Sequence, residues 1–234
     1  MSGDAREAYD AWHAALAVDE AADAPWQRLV RAHLPALDGQ RVLEIGCGRG
    51  GFAAALAREK GARVVGADFS RTAIALAAAH RRATTVERLD LLVADIGAIP
   101  HPEGAFDAVI SCETVEHVPD PRRAVRECAR VLRPGGRLYL TTPNYLGVMG
   151  VYRAYRRLTG RPFTEVGQPI NRLTLLPRTV GWVRAAGLRV VAVDGVGHYL
   201  PVPHRPPLAL PWLDRAPQPL RWLALHSLVV GEKR

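Results

Sequence analysis

Cysteine is scarce. The 234-residue chain has three, Cys47, Cys112 and Cys128, an odd number without C-x-x-C spacing. That excludes a disulfide framework and a cysteine-built zinc site, and it points to a reducing compartment. Lysine is scarcer still, present only as Lys60 and Lys233, so the positive charge is almost wholly arginine. No apolar run approaches the ~20 residues of a spanning helix, so no transmembrane segment is expected. Residues 1–7 hold no apolar stretch behind a basic cluster. No signal peptide is therefore expected, and the expected location is cytoplasmic. There is no internal repeat, and no linker parts one domain from another.

What the chain does have is enough apolar material for one sizeable core. Hydrophobic residues make up 48% of it, which excludes a disordered chain, and the length fits a single α/β domain over residues 1–234. The formal net charge is +8 and the pI about 10.0. A basic balance can serve nucleic acid or an anionic surface. Here the arginines look scattered among Ala- and Pro-rich stretches, which reads as compositional usage, and nucleic acid is not expected as a partner. Oligomeric state is left open.

The chain is organised around residues 41–52, R-V-L-E-I-G-C-G-R-G-G-F. Val42, Leu43 and Ile45 read as a buried strand, the glycines as a tight turn that lets a ligand approach bare backbone, and the residues from Phe52 as a helix. Donors at that helix start suit an anionic group. Gly46, Gly48 and Gly51 satisfy G-x-G-x-x-G, so a dinucleotide is the rival ligand. Glu44 weighs against it: an acid just before the glycines repels a pyrophosphate and suits an ammonium or sulfonium. The stretch resembles motif I of the class I S-adenosylmethionine (SAM) methyltransferases, hydrophobic-acid-hydrophobic-G-x-G-x-G.

Further segments fall in the order this resemblance implies. A second strand ends on Asp68, about 20 residues beyond the glycines, where an acid accepts from ribose hydroxyls. Phe69 follows as a face for the adenine, and Ser70 reads as a helix N-cap. A third strand over 89–96 places Asp95 and Ile96 where the family binds adenine. A fourth, 104–112, ends on Cys112. V-L-R-P-G-G-R-L, over 131–138, resembles the family's L-x-P-G-G-x-L and leads into a fifth strand. The resemblance implies a Rossmann-like, doubly wound, seven-stranded sheet whose last strand is antiparallel. It implies a helical N-terminal cover over 1–40, a SAM-binding core over 41–144, and an acceptor lid and cap from 145–172 and 195–220. Residues 195–220 are Pro-rich and expected to be irregular. Glu44, Gly46, Cys47, Gly48, Asp68, Phe69, Ser70, Asp95, Ile96 and Cys112 are the expected cofactor residues.

The acceptor side is expected to use Tyr9 and Trp12 from the N-terminal helices, where Ala8, Trp12 and Leu16 share a face, and Asn144, Tyr145 and Tyr152 beyond the fifth strand. Four arginines, Arg153, Arg156, Arg157 and Arg161, are candidates for an anionic group on the substrate. His117, just past the fourth strand, is the expected general base, because imidazole titrates near neutral pH. Its segment, C-E-T-V-E-H-V-P-D-P, resembles that of the ubiquinone-biosynthesis O-methyltransferases, where E-x-x-E-H is associated with a divalent ion. Glu113, Glu116 and His117 would then be the ligands of a Mg²⁺. The later His of related small-RNA enzymes matches Asn171 here, which removes an imidazole, and a metal is not the favoured reading. The expected activity is methyl transfer from SAM to a hydroxyl of a small organic acceptor. N- or C-methylation, RNA methylation and non-catalytic SAM binding are the alternatives.

Overall fold

The computed structural model describes residues 3–16, 23–160, 168, 170, 172–202 and 207–234. Two helices, α1 (Gly3–Ala15) and α2 (Pro25–His33), precede β1 (Arg41–Ile45) and α3 (Gly51–Glu59). Next come β2 (Arg63–Asp68), α4 (Arg71–Thr84), β3 (Leu89–Val93), β4 (Phe106–Cys112), a 3₁₀ turn (Val115–His117) and α5 (Pro121–Val131). The chain continues through β5 (Leu132–Pro143), α6 (Val148–Leu158), α7 (Leu176–Ala185), β6 (Leu188–Val196), β7 (Tyr199–Leu200), β8 (Leu208–Ala209) and β9 (His226–Lys233). The main sheet has seven strands in the order β3-β2-β1-β4-β5-β9-β6, with β9 antiparallel to both neighbours. This is the expected doubly wound sheet.

Both faces of the sheet are covered, as parallel strands require. Alternate side chains of one strand supply two cores. Leu43, Ile45, Val109, Leu138 and Leu140 meet Val125 and Cys128 of α5 and Trp182 and Val183 of α7. Val42, Val64, Ile110 and Tyr139 meet Val30 of α2 and Phe52, Ala53 and Leu56 of α3. The order reverses between β1 and β4, and at such a switch point a crevice opens beyond the strands' carboxyl ends.

Several local expectations shift. In α1 the buried stripe is Tyr9 and His13, while Ala8 is exposed and Trp12 and Leu16 are half-buried. The helix is turned toward α4 by Asp10, which accepts from the Ser70 hydroxyl and, at 3.0 Å, from the Thr72 N–H. The third strand stops at Val93. The 133–136 turn is a bulge within β5: Leu132 pairs with Phe106 and Arg137 with Ala108, so the Pro-Gly-Gly run swells outward between two paired points. Within 195–220 there is a small ribbon, β7 with β8, where an irregular path was expected.

Candidate functional site

The switch-point crevice is a cavity of about 440 Å³, within the size range of small-ligand sites. Its floor is the β1 turn, with Glu44, Gly46, Cys47 and Gly48. Asp68 and Phe69 line it from β2, Ala94 and Ile96 from beyond β3, and Cys112, Glu113, Thr114, His117 and Val118 from beyond β4. The opposite wall is N-terminal: Tyr9, Trp12, His13 and Leu16, then Ala24, Trp26 and Gln27. Gln168 completes it.

The glycine turn settles which of its two readings the backbone follows. Gly46, Gly48 and Gly50 have φ of +80°, +52° and +79°, conformations in which only glycine is unstrained. Gly51 is already the first residue of α3. The left-handed positions therefore alternate as G-x-G-x-G, and the literal G-x-G-x-x-G match is incidental. At Gly46 a Cβ would overlap the Thr114 hydroxyl, so the cavity floor has to be bare here. Asp68 holds the turn in place: one carboxylate oxygen accepts from the Gly48 N–H and the other from the Ser70 N–H, both at 2.9 Å. A carboxylate has about four acceptor sites, and with the Phe69 N–H also donating to Asp68 one is left for a ligand hydroxyl. Burial pushes the Asp68 carboxyl up, and the Ser70 N–H, His13 and the Gly48 N–H pull it back only in part. Burial likewise drives the Cys112 thiol well above its ordinary range, with the nearby Glu44 and Glu113 adding to it, so Cys112 is a neutral wall residue.

The N-terminal wall is tied to this floor by contacts that no local pattern announces. Arg49, in the glycine turn itself, donates to the carbonyls of His13 (2.6 Å) and Leu16 (2.7 Å). A cation there also complements the carboxyl end of α1. Arg6 lies 4.8 Å from the Phe69 ring centroid, and the Tyr9 ring meets Phe69 edge-on at 6.5 Å. Burial depresses the His13 imidazole, so it is held neutral beside Asp68.

Opposite the floor, the chain leaves β4 through Glu113, which has φ of +47°. That conformation is uncommon for a non-glycine residue and typical of functional turns. The Glu113 N–H is held by the Thr141 carbonyl and hydroxyl, both at 3.1 Å. One carboxylate oxygen lies 3.0 Å from His226 Nδ1, and the His226 ring packs on Trp26 at 4.7 Å. The other oxygen is buried with no hydrogen-bond partner among the described residues. His117, also buried, binds the Ile170 carbonyl through Nδ1 and has Nε2 3.4 Å from Glu116. With Nδ1 donating, Nε2 is the proton-free nitrogen of the neutral ring. Burial lowers the His117 pKa against the opposing pull of the Ile170 carbonyl and Glu113, which favours that neutral ring.

Not every expected residue reaches the cavity. Ser70 is fully buried as the cap of α4, its oxygen accepting from the Ala73 N–H at 3.0 Å. Asp95 lines a separate adjoining pocket of about 170 Å³ with Asp120 and Arg123, and it accepts from the Gly97 N–H at 2.8 Å. Asn144 is a buried strut. Its amide donates to the Trp222 and Ala224 carbonyls, and its oxygen accepts from the Leu146 and Leu176 N–H groups. Tyr145 is buried under Arg153, 4.4 Å from its ring centroid, and Tyr152 accepts from Arg156 at 3.1 Å. None of these five is in the wall of the main cavity. Among the described residues no group of three His, Cys, Asp or Glu is placed to hold a metal ion. Glu113 is turned toward His226 of β9, 3.0 Å away. Arg161 and Asn171 lie outside the described residues. His13, Trp26, Gln27, Thr114 and Gln168 enter the wall without having been expected there; only their place in three dimensions reveals them.

Residues 43–140 match the family model described as a methyltransferase domain. A ubiquinone biosynthesis O-methyltransferase of Coxiella burnetii is 32% identical over 171 residues, which cover 71% of this chain and 70% of that protein. The protein of the same name from Sodalis glossinidius is 35% identical over 176 residues, covering 72% and 68%. The one from Alkalilimnicola ehrlichii is 40% identical over 111 residues, 47% of this chain and 44% of its own length. Among solved structures, the methyltransferase in complex with the Haloferax volcanii Trm112 activator superposes with a TM-score of 0.72 at 23% identity, over 96% of each chain. The [4+2]-cyclase SpnF superposes at 0.64 and 22% identity over 92% of this chain and 84% of its own. At such identities a shared fold carries no chemistry, as the cyclase illustrates. The sequence relatives and the alternating glycine turn do carry it: the chain belongs to the SAM-dependent methyltransferases.

Proposed function

We propose that the protein transfers the methyl group of SAM to a hydroxyl oxygen of a small organic acceptor. The observation that carries this reading is the sharing of one cavity by the acid-flanked glycine turn and His117. The residues suit the cofactor: Glu44 and Asp68 supply negative charge for an ammonium, a sulfonium and ribose hydroxyls, the bare turn admits close approach, and Phe69 and Ile96 offer apolar faces for a purine. Bound SAM supplies an electrophilic methyl group. The chain's own task is to hold the acceptor in line, exclude water and take up the hydroxyl proton. His117 Nε2 accepts that proton, and Glu116 at 3.4 Å stabilises the imidazolium that forms. Tyr9, Trp12 and Trp26 close the N-terminal side against water. We assign the acceptor wall to these N-terminal residues with Gln168, since the described part of 195–220 and residues 145–160 leave the cavity untouched. The name borne by the curated relatives supports oxygen as the acceptor atom.

Calorimetry with SAM and with NAD tests the donor. SAM binds and NAD does not; the reverse result sinks the reading. Release of S-adenosylhomocysteine with a panel of small phenols tests the chemistry. His117→Ala lowers turnover by about 100-fold with SAM affinity held within a few-fold. Unchanged turnover across pH would remove His117 from the base role.

A further inference from the structure

A ribose carries two neighbouring hydroxyls, and the acid expected to hold it has room for one. The Gly48, Ser70 and Phe69 N–H groups already donate to the Asp68 carboxylate, which has about four acceptor sites in all. The second hydroxyl needs another partner, and the polar groups nearest Asp68 in the chain are engaged. The Ser70 oxygen accepts from the Ala73 N–H at 3.0 Å, and its hydroxyl donates to Asp10. Arg49 reaches away from the glycine turn to the carbonyls of His13 and Leu16.

His13 is different. It lines the cavity from the last turn of α1 and is only 6% exposed. Its Nδ1 is buried with no hydrogen-bond partner among the described residues. A buried polar atom left unpaired is costly and rare, so it marks a place for a ligand group. The ring also lies within electrostatic reach of Asp68, whose charge opposes the effect of burial on it. The rest of the residue is fixed by its neighbours. Its carbonyl accepts from Arg49 at 2.6 Å, and its ring stands edge-on to Trp12 at 4.8 Å. Asp10, one turn earlier, accepts from the Thr72 N–H at 3.0 Å. The imidazole is thus held in the cavity wall beside Asp68 before any ligand arrives.

We infer that His13 binds the ribose of the cofactor, its Nδ1 pairing with the hydroxyl that Asp68 leaves over. One hydroxyl is then held from the end of β2 and its neighbour from α1. The inference rests on the SAM reading of the cavity and adds to it a residue outside the glycine turn and the strand ends. A hydroxyl suits this nitrogen in either tautomer, because it both donates and accepts. The carboxylate of SAM does not suit it. Burial keeps the ring neutral, so it offers that group no charge, and Asp68 beside it repels a second anion.

The test is calorimetry of S-adenosylhomocysteine and of its 2′-deoxy and 3′-deoxy analogues, on the wild type and on His13→Phe. Phenylalanine keeps a ring against Trp12 and removes both nitrogens. His13→Phe lowers the affinity for S-adenosylhomocysteine by about 3- to 10-fold, the worth of one neutral hydrogen bond. With one deoxy analogue the wild type has already lost that factor, and the variant loses nothing further. With the other analogue the variant loses the full factor. A wild type that binds all three ligands equally overturns the inference. So does a variant that matches wild type, or one that loses the same factor against all three, because His13 then only shapes the wall. A wild type that binds no S-adenosylhomocysteine strikes the SAM reading itself, and the inference falls with it. Nitrogen NMR of the wild type needs no variant. The His13 Nδ1 resonance moves on adding S-adenosylhomocysteine and stays in place with the matching deoxy analogue; a resonance indifferent to S-adenosylhomocysteine overturns the inference.

Discussion

Gly46→Ala probes the cavity floor with a single methyl group. Two costs follow from the structure. The backbone at φ of +80° is unfavourable for any L-residue by about 1–2 kcal/mol. The new Cβ would overlap Thr114 Oγ1 and lie 2.5 Å from Cγ2 and 2.9 Å from Cβ of the same side chain. Rotating Thr114 cannot clear it, because Thr114 Cβ does not move with χ1. Displacing Thr114 also breaks the 2.8 Å bond from its hydroxyl to the Cys112 carbonyl, worth roughly 1 kcal/mol. Together these give a loss of about 3 kcal/mol, and for a domain of this size a fall in Tm of roughly 6–12 °C. Thermal unfolding of the free protein reads the stability, and calorimetry reads the SAM affinity, which falls with it. Thr114→Gly separates the two costs: it removes the clash and leaves the backbone strain. In a double-mutant cycle the pair couples by about 1–2 kcal/mol. A Gly46→Ala protein with wild-type Tm and wild-type SAM affinity refutes the argument, and strict additivity with Thr114→Gly refutes the steric half.

Two further substitutions address other contacts. Asp68→Ala strips the acceptors from the Gly48 and Ser70 N–H groups and weakens SAM by about 1–3 kcal/mol, with Asp68→Asn intermediate; calorimetry that finds all three equal would exclude Asp68 from the cofactor site. The pair of His33 with Asp194, at 3.3 Å, sets a pH dependence: the hydrogen bond to Asp194 raises the His33 pKa despite burial, so its stabilisation is complete below the ordinary imidazole range and is lost as pH rises through the folded value. Asp194→Asn abolishes that loss. The difference in Tm between wild type and mutant therefore shrinks toward high pH, and a difference that stays constant from weakly acidic to weakly alkaline pH rejects the linkage.

The parts of the site legible in the sequence are those whose chemistry is local. Strand, glycine turn and helix follow one another within a dozen residues, and Asp68 ends one short strand while Ile96 lies three residues past another, in strands whose parallel order follows from right-handed crossovers. Glu44 could be weighed against a pyrophosphate because one charge next to three glycines is a statement about neighbours. Beyond β5 this kind of reasoning weakened. Asn144 and Tyr145 occupy the carboxyl edge of a strand, where ligands bind, yet Asn144 is spent on four protein partners and Tyr145 is covered by Arg153. A polar residue at a strand end satisfies a ligand or the chain's own loops equally well, and spacing cannot distinguish them.

The N-terminal wall is the clearest case of what spacing leaves out. The α1 sequence reads as a face of Ala8, Trp12 and Leu16, whereas the structure buries Tyr9 and His13. The choice is made by Asp10 reaching the N–H of Thr72 and by Arg49 reaching the carbonyls of His13 and Leu16. Both partners belong to the cofactor-binding half: Thr72 lies in the first turn of α4 just after Asp68, and Arg49 lies among the glycines. The N-terminal wall of the cavity is thus clamped to the glycine turn that forms its floor. Arg49 orders α1 only when the glycine turn has its left-handed form, so damage to the turn at Gly46 also loosens the wall that carries Tyr9 and Trp12.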